Sequence, residues 1–255
     1  MDAIQIAVVT LAAVWGAATG LLIPRAAYRF SVEPEEEWRG ACPAGHPFPG
    51  SGPSRGWLGA ARCQVCTTSG TGVSATVPYA PQVLLPVVSA LACALLAAAT
   101  GTRPELAVWL LLTPVSVLLA AVDHRVHRLP DQLTLPLAGA AAVLLGVVSL
   151  LPEHDGSWTG SLLGGAALGA FYLVLYLINP NGMGFGDVKL ALSLGVVLGW
   201  YGWPVLVAGG FAGFLFGAVY GLGLLMLRRA NRRTGIPFGP FMIAGALTGV
   251  LLGAL

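Results

Sequence analysis

Two short polar stretches interrupt an otherwise apolar chain, and each carries an aspartate. One runs Asp123-His124-Arg125-Val126-His127-Arg128-Leu129-Pro130-Asp131; the other runs from Asn179 to Lys189 and includes Gly184-Phe185-Gly186-Asp187. Ionisable groups beside long apolar runs are costly to keep, which marks them as functional candidates. Two carboxylates brought together have a defined chemistry. One, ionised, takes a proton from water, and its protonated neighbour polarises a scissile carbonyl. They share a proton because like charges at close range cannot both ionise cheaply. Asp123 and Asp187 are the expected pair. Asp123 falls where an apolar helix would end, beside its negative pole, and Asp187 where one would begin, beside its positive pole. That asymmetry assigns Asp187 as the ionised base and Asp123 as the proton carrier, within a pair that titrates jointly. Asp131, directly after Pro130, fits a helix N-cap instead, its side chain accepting free backbone N–H groups.

The neighbours of these acids have two readings each. Gly184 and Gly186 permit backbone shapes and close approaches closed to other residues, so a substrate strand could lie against them; a capped loop explains them equally. Lys189 either holds Asp187 ionised or sits at the membrane interface. Ile236-Pro237-Phe238-Gly239-Pro240, with Pro237 and Gly239 as the site candidates, reads as a wall of the site or as a proline-started helix. His124 and His127 read as loop histidines.

The elements that must position these groups are membrane spans. Of the 255 residues, 56% are hydrophobic and only 9% charged, and the mean hydropathy is +0.79. A soluble domain runs near a quarter charged. The composition excludes a cytosolic enzyme, a nucleic-acid binder and a largely disordered chain. Eight stretches are long enough, or nearly so, to cross the bilayer: about 3–22, 83–100, 106–122, 133–151, 160–178, 188–202, 204–227 and 237–255. The expected fold is therefore all-α and polytopic, with a tight turn near Gly202 and glycines such as Gly213 and Gly217 letting helices approach closely.

The first span carries Asp2 at its amino end and basic Arg25 and Arg29 after it, which places the amino terminus outside. With that orientation, every basic residue but Arg103 falls on the inside, including Arg228, Arg229, Arg232 and Arg233, which suit anionic lipid. Glu105, Glu153 and Asp155 fall in outside turns. Both termini are then extracytoplasmic, and both aspartate loops face the cytosol. One cytosolic loop is long, from Ile23 to Gln82. It holds an acidic run, Glu33, Glu35, Glu36 and Glu37, that is either a solvated face or an attractor for a basic segment. It also holds Cys42, His46, Cys63 and Cys66, a complete tetrahedral zinc set in a compartment that keeps thiols reduced. Three ordinary loop cysteines are the alternative. The chain thus divides into a first helix (1–22), the loop (23–82) and a seven-helix unit (83–255).

Together these features resemble the prepilin peptidase family, integral-membrane aspartyl proteases of the Gly-x-Gly-Asp class. The resemblance rests on Asp123 with Leu129-Pro130-Asp131 after it, on Gly184 to Lys189, and on Ile236 to Pro240 after a basic loop. It implies Asp123 and Asp187 as the catalytic pair and Gly184 and Gly186 as loop glycines. It further implies that type IV prepilins or pseudopilins lose their basic leader at the cytosolic face of the bacterial inner membrane, with no cofactor needed for proteolysis. Bifunctional members also N-methylate the new terminus with S-adenosylmethionine and carry two Cys-x-x-Cys pairs in the loop. Here Cys42-Pro43-Ala44-Gly45 breaks the first pair, and His46 stands one position later as a substitute ligand. That departure argues against methyl transfer. The rival readings are a proton-coupled transporter, a different Gly-x-Gly-Asp protease, and an inactive scaffold; acids at span ends rather than mid-membrane favour a hydrolase.

Overall fold

In hydrocarbon every peptide N–H and C=O must find a partner within the protein, so an apolar chain of this kind folds as helices. The computed structural model describes residues 2–33, 35–48, 56–63, 65–66, 80–180, 182–227 and 235–255. Among them are nine helices: α1 (Ala3–Gly20), α2 (Ile23–Phe30), α3 (Leu84–Thr100), α4 (Glu105–Val126), α5 (Asp131–Val148), α6 (Trp158–Ile178), α7 (Phe185–Gly199), α8 (Trp203–Met226) and α9 (Gly239–Ala254). Five of these, α1, α4, α5, α6 and α8, are long and apolar enough to cross a membrane, and α3 and α9 are shorter apolar helices. The protein is an all-helical, polytopic membrane protein. The basic residues Arg55, Arg228, Arg229, Arg232 and Arg233 lie outside the described residues.

The helix ends follow local chemistry. Asp2 caps α1 by accepting the Gln5 N–H at 2.8 Å, and Ser157 caps α6 through Gly160. Gly202, at φ +96°, makes the tight turn between α7 and α8. Two expected boundaries move. α4 runs on to Val126, so Asp123 lies inside its last turn. α7 starts at Phe185, so Asp187 lies inside its first turn.

The arrangement of the bundle explains how it tolerates those acids. α7 is the central helix, packed against α5, α6, α8 and α9, and its Leu190, Ala191, Leu194 and Leu198 are all buried. It touches protein rather than lipid, which is where a membrane protein can keep an aspartate and a lysine. Small residues set the spacing. A Cβ at Gly164 of α6 would stand 2.6 Å from the Gly195 carbonyl oxygen of α7, and a Cβ at Gly245 of α9 would stand 2.3 Å from the Gly213 nitrogen of α8. Gly213 thus serves the α8–α9 contact as a small residue should, while Gly217 faces the Phe238 ring.

The long segment after α1 is not all loop. α2 buries Ile23, Ala26, Ala27 and Phe30 against Val117, Leu118 and Val122 of α4. Farther on, Trp38, Trp57 and Phe30 pack edge to face, with the Arg29 guanidinium 3.8 Å above the Trp57 ring.

Candidate active site

Asp123 is 4% exposed and Asp187 8% exposed, and both lie at one end of the bundle. Asp123 sits in the C-terminal turn of α4. Its Oδ2 accepts the Gly239 N–H at 2.8 Å, a contact across 116 residues of chain. α4 then stops because His127 adopts the left-handed conformation, φ 51°, and its N–H donates to the Asp123 carbonyl at 2.9 Å. Asp187 sits in the N-terminal turn of α7. Its Oδ2 accepts the Gly184 N–H at 3.2 Å, and its own N–H donates to the Gly184 carbonyl at 3.0 Å, a reciprocal cap. Asp187 lies within electrostatic reach of Asp123, and Asp123 within reach of His124 and His127. The two carboxylates thus occupy opposite helix poles, each held by one peptide N–H through Oδ2. Two buried carboxylates so placed are the groups that general acid–base activation of water calls for.

The other expected residues take different parts. Gly239 is in direct contact: a Cβ there would stand 2.8 Å from Asp123 Oδ2, so only glycine leaves room for the carboxylate. Pro237 lies in the non-helical stretch leading to α9, and Pro240 occupies its first turn. Gly186 closes the site by packing, since a Cβ there would meet the Leu129 Cβ at 2.9 Å. The loop after α4 and the first turn of α7 meet at that point. Gly184 has φ −74° and ψ 143°, extended backbone open to any residue. Its value is the N–H it gives Asp187.

Two expectations are corrected. Asp131 is not an N-cap: Pro130 holds that position without a side-chain bond, and Asp131, in the first turn, accepts the Lys189 ammonium at 2.6 Å. Lys189 correspondingly forms its ion pair with Asp131, and its Nζ lies 4.8 Å over the Phe185 ring. Residues two apart on a helix face different ways, so nearness in sequence to Asp187 did not place the ammonium on it.

One residue had no signal in the sequence. Tyr172, in the middle of an apolar span, is buried within electrostatic reach of Asp187. Its ring stacks on Phe214 with centroids 5.4 Å apart and lies 6.2 Å from Phe238. These rings form an aromatic wall beside the carboxylates.

Outside the bundle, Cys42, His46, Cys63 and Cys66 converge so that one ligand atom from each lies within 4.8 Å of every other. Gly45 at φ +81° and the Cys42–His46 backbone bond of 2.9 Å fold the first half into a tight turn. His46 Nδ1 lies 3.6 Å from Cys42 Sγ, 3.2 Å from Cys66 Sγ and 3.8 Å from Cys63 Sγ. Cys42 Sγ and Cys66 Sγ are 3.8 Å apart. With Zn–S bonds of about 2.3 Å, sulfurs in a tetrahedral site stand about 3.8 Å apart, so the donor set fits zinc in type and spacing. The Cys63 thiol is pushed down to about 7, chiefly by a backbone N–H of Cys66. His46 thus takes a place in the donor set that the broken Cys-x-x-Cys had left open.

Comparison with known proteins decides the kinship. The description "Type IV leader peptidase family" matches residues 110–222, which include both aspartates. A prepilin leader peptidase/N-methyltransferase of Aeromonas hydrophila is 35% identical over 240 residues, 87% of this chain and 78% of its own length. The chain belongs to the type IV leader peptidase family. A family member of the same name from Aeromonas salmonicida strain A449 is 35% identical over 191 residues, 74% of this chain. The match spans 61% of the length of that relative. One from Pseudomonas aeruginosa is 36% identical over 142 residues, 53% of this chain and 46% of its own. No solved structure matches. The family segment ends before Gly239, so the contact between Gly239 and Asp123 reaches beyond it.

Proposed function

We propose that the protein is an aspartic endopeptidase that removes the basic leader from type IV prepilins or pseudopilins. The observation that carries the proposal is the pair of buried carboxylates at opposite helix poles, each held by a peptide N–H. In the proposed reaction Asp187 takes a proton from water as the water oxygen bonds to the scissile carbonyl carbon. Asp123 gives its proton to the carbonyl oxygen. Asp187 then gives its proton to the leaving nitrogen while Asp123 takes one back from a gem-diol hydroxyl, and the C–N bond breaks to leave carboxylic acid and amine. The Tyr172 ring, 6.2 Å from that of Phe238, adds an apolar side to the proposed site. The unit 83–255 carries this chemistry, 1–22 is an anchoring helix, and 23–82 is a cytosolic segment whose opening helix α2 packs on α4. The bias of basic residues supports a cytosolic aspartate end with both termini outside, and the leader-peptidase kinship supports the bacterial inner membrane.

Zinc fits the loop site. Cys42, Cys63 and Cys66 would hold it through sulfur and His46 through Nδ1; it would cross-link the loop, and the proposed cleavage takes no step through it. The proposal is confined to peptide cleavage.

Co-expression with a candidate prepilin tests the reading. Asp123→Ala and Asp187→Ala each abolish cleavage, and Asp131→Ala retains it; full processing by either of the first two removes the mechanism. For the metal, elemental analysis of purified protein finds about one zinc per chain, lost in both Cys63→Ser and His46→Ala. Full zinc content in His46→Ala would take the imidazole out of the set.

A further inference from the structure

A cavity of about 470 Å³ opens between α3, α4 and α9. Along α4 its lining runs from Trp109 to Arg125, about 24 Å at 1.5 Å per residue, most of the hydrocarbon thickness. The walls are mainly leucine, valine and isoleucine with Trp109, and alanines such as Ala92 on α3, Ala120 on α4 and Ala244 on α9 lie between them. The two hydroxyls within the cavity are satisfied by their own helix. Thr113 Oγ1 donates to the Trp109 carbonyl at 2.7 Å, and Ser116 Oγ to the Leu112 carbonyl at 3.0 Å. A long apolar groove with alanines on each of its three helices suits an apolar helix, which packs in lipid through van der Waals contact and approaches most closely where small side chains stand.

One end of the groove adjoins the site. Its lining comes from α4, which carries Asp123, from α7, which carries Asp187, and from α9, which begins at Gly239. It ends at His124 and Pro240, neighbours of the Asp123–Gly239 contact. Beyond that end lies the exposed acidic run Glu33, Glu35, Glu36 and Glu37, tied to the loop after α4 by the Arg128 guanidinium, which donates to the Glu33 carbonyl at 3.0 Å.

We propose that this groove docks the apolar transmembrane helix of the substrate, with the basic segment that precedes it drawn to the acidic run and the bond between them delivered to Asp123 and Asp187. This rests on the peptidase reading above and adds where the substrate helix lies. An anionic phospholipid is the competing occupant, for which Arg125 and His124 at the mouth would supply charge; its headgroup would face the acidic run, where a basic segment is complementary.

Two measurements decide it. Ala92→Trp and Ala244→Trp fill the groove and lower kcat/KM for a membrane-inserted prepilin at least tenfold, mainly through KM. Val219→Trp, on the lipid-facing side of α8, stays within twofold of wild type. In an Asp123→Asn background, a photoreactive benzoylphenylalanine at position 92 or 247 links covalently to the prepilin helix, and one at position 219 does not. Links to phospholipid alone, or equal links from all three positions, overturn the docking. Wild-type enzyme that cuts, with filled-groove variants as active as Val219→Trp, overturns the docking and leaves the peptidase reading standing. Wild-type enzyme that leaves the prepilin uncut overturns both.

Discussion

α4 carries a buried acid at each end, and the two ends treat it differently. Glu105 opens the helix and is 0% exposed; Asp123 closes it at 4%. At the Glu105 end the acid meets the positive pole of its own helix. Its Oε1 accepts the Asp155 N–H at 3.3 Å, and the Asp155 carboxylate pairs with Arg103. Arg103 also donates to the carbonyls of Thr100 and Ala254, so one guanidinium stitches the end of α3, the α5–α6 loop and the chain's last helix together. The Ser157 N–H adds a bond of 2.9 Å to the Trp200 carbonyl. At the Asp123 end both carboxylates are buried, each accepts a peptide N–H, and among the described residues neither forms an ion pair with an arginine or lysine. Lys189, the nearest ammonium in sequence, is engaged by Asp131. One end uses Asp155 and Glu105 Oε1 to join helices; the other holds two buried acids within electrostatic reach of each other, the like-charge arrangement that the proposed peptidase reaction would use.

The largest effect expected of that contrast comes from exchanging one acid at each end. Asp123→Asn keeps the shape and the Gly239 contact, so cleavage falls by about 10³-fold or more while the midpoint of thermal unfolding in detergent stays near wild type. Glu105→Ala does the reverse: it leaves the Asp155 N–H without its acceptor and opens a hole, destabilising by about 2–4 kcal/mol, with kcat at permissive temperature within twofold. Equal thermal losses in the two variants would erase the distinction between the ends.

The next effect probes how tightly the aspartate end is held. In Gly239→Ala the added methyl must displace the Asp123 carboxylate, since its position lies 2.8 Å from Oδ2. A shift of about 1 Å at a catalytic group costs on the order of 10²-fold in rate. Gly184→Ala meets Asp187 Oδ2 at 3.5 Å, an ordinary contact, and keeps most of its activity. Steady-state cleavage of a prepilin by the two variants separates a glycine needed for space from one that serves through its N–H. A Gly239→Ala enzyme as active as Gly184→Ala would show that the site can give way.

The helices and both aspartates were legible because the bilayer writes them plainly. Apolar length marks the spans, the bias of basic residues orders them, and acids at span ends are conspicuous against so few charges. What stayed hidden depends on side-chain direction or on contacts across the bundle. Glu105 read as an outside turn residue, yet it is sealed in a helix start. Gly239 read as part of a wall or a helix start; that its N–H grips Asp123 follows only once α9 is laid against α4. Tyr172 vanished into an apolar span because a phenol counts as apolar until something charged is found beside it. His46 was visible as a ligand candidate because metal sites repeat donor types at short spacings.

The smallest effect bears on Lys189, where the two ends would look alike if its ammonium served Asp187 as Arg103 serves Asp155. The ion pair it makes is with Asp131, whose side chain is 57% exposed, and exposed pairs contribute about 0.2–1 kcal/mol. Lys189→Met therefore lowers stability by less than about 1 kcal/mol and slows cleavage severalfold at most, through a looser hold between α5 and α7. The discriminating measurement is the pH–rate profile. A lysine that sets the charge of Asp187 would, on removal, move a limb of that profile, because a nearby cation favours the ionised carboxylate. A lysine bound to Asp131 leaves both limbs where they were and lowers only the plateau. The same profile should follow from Asp131→Asn, since each variant removes the same ion pair, and the double variant should add little to either single one.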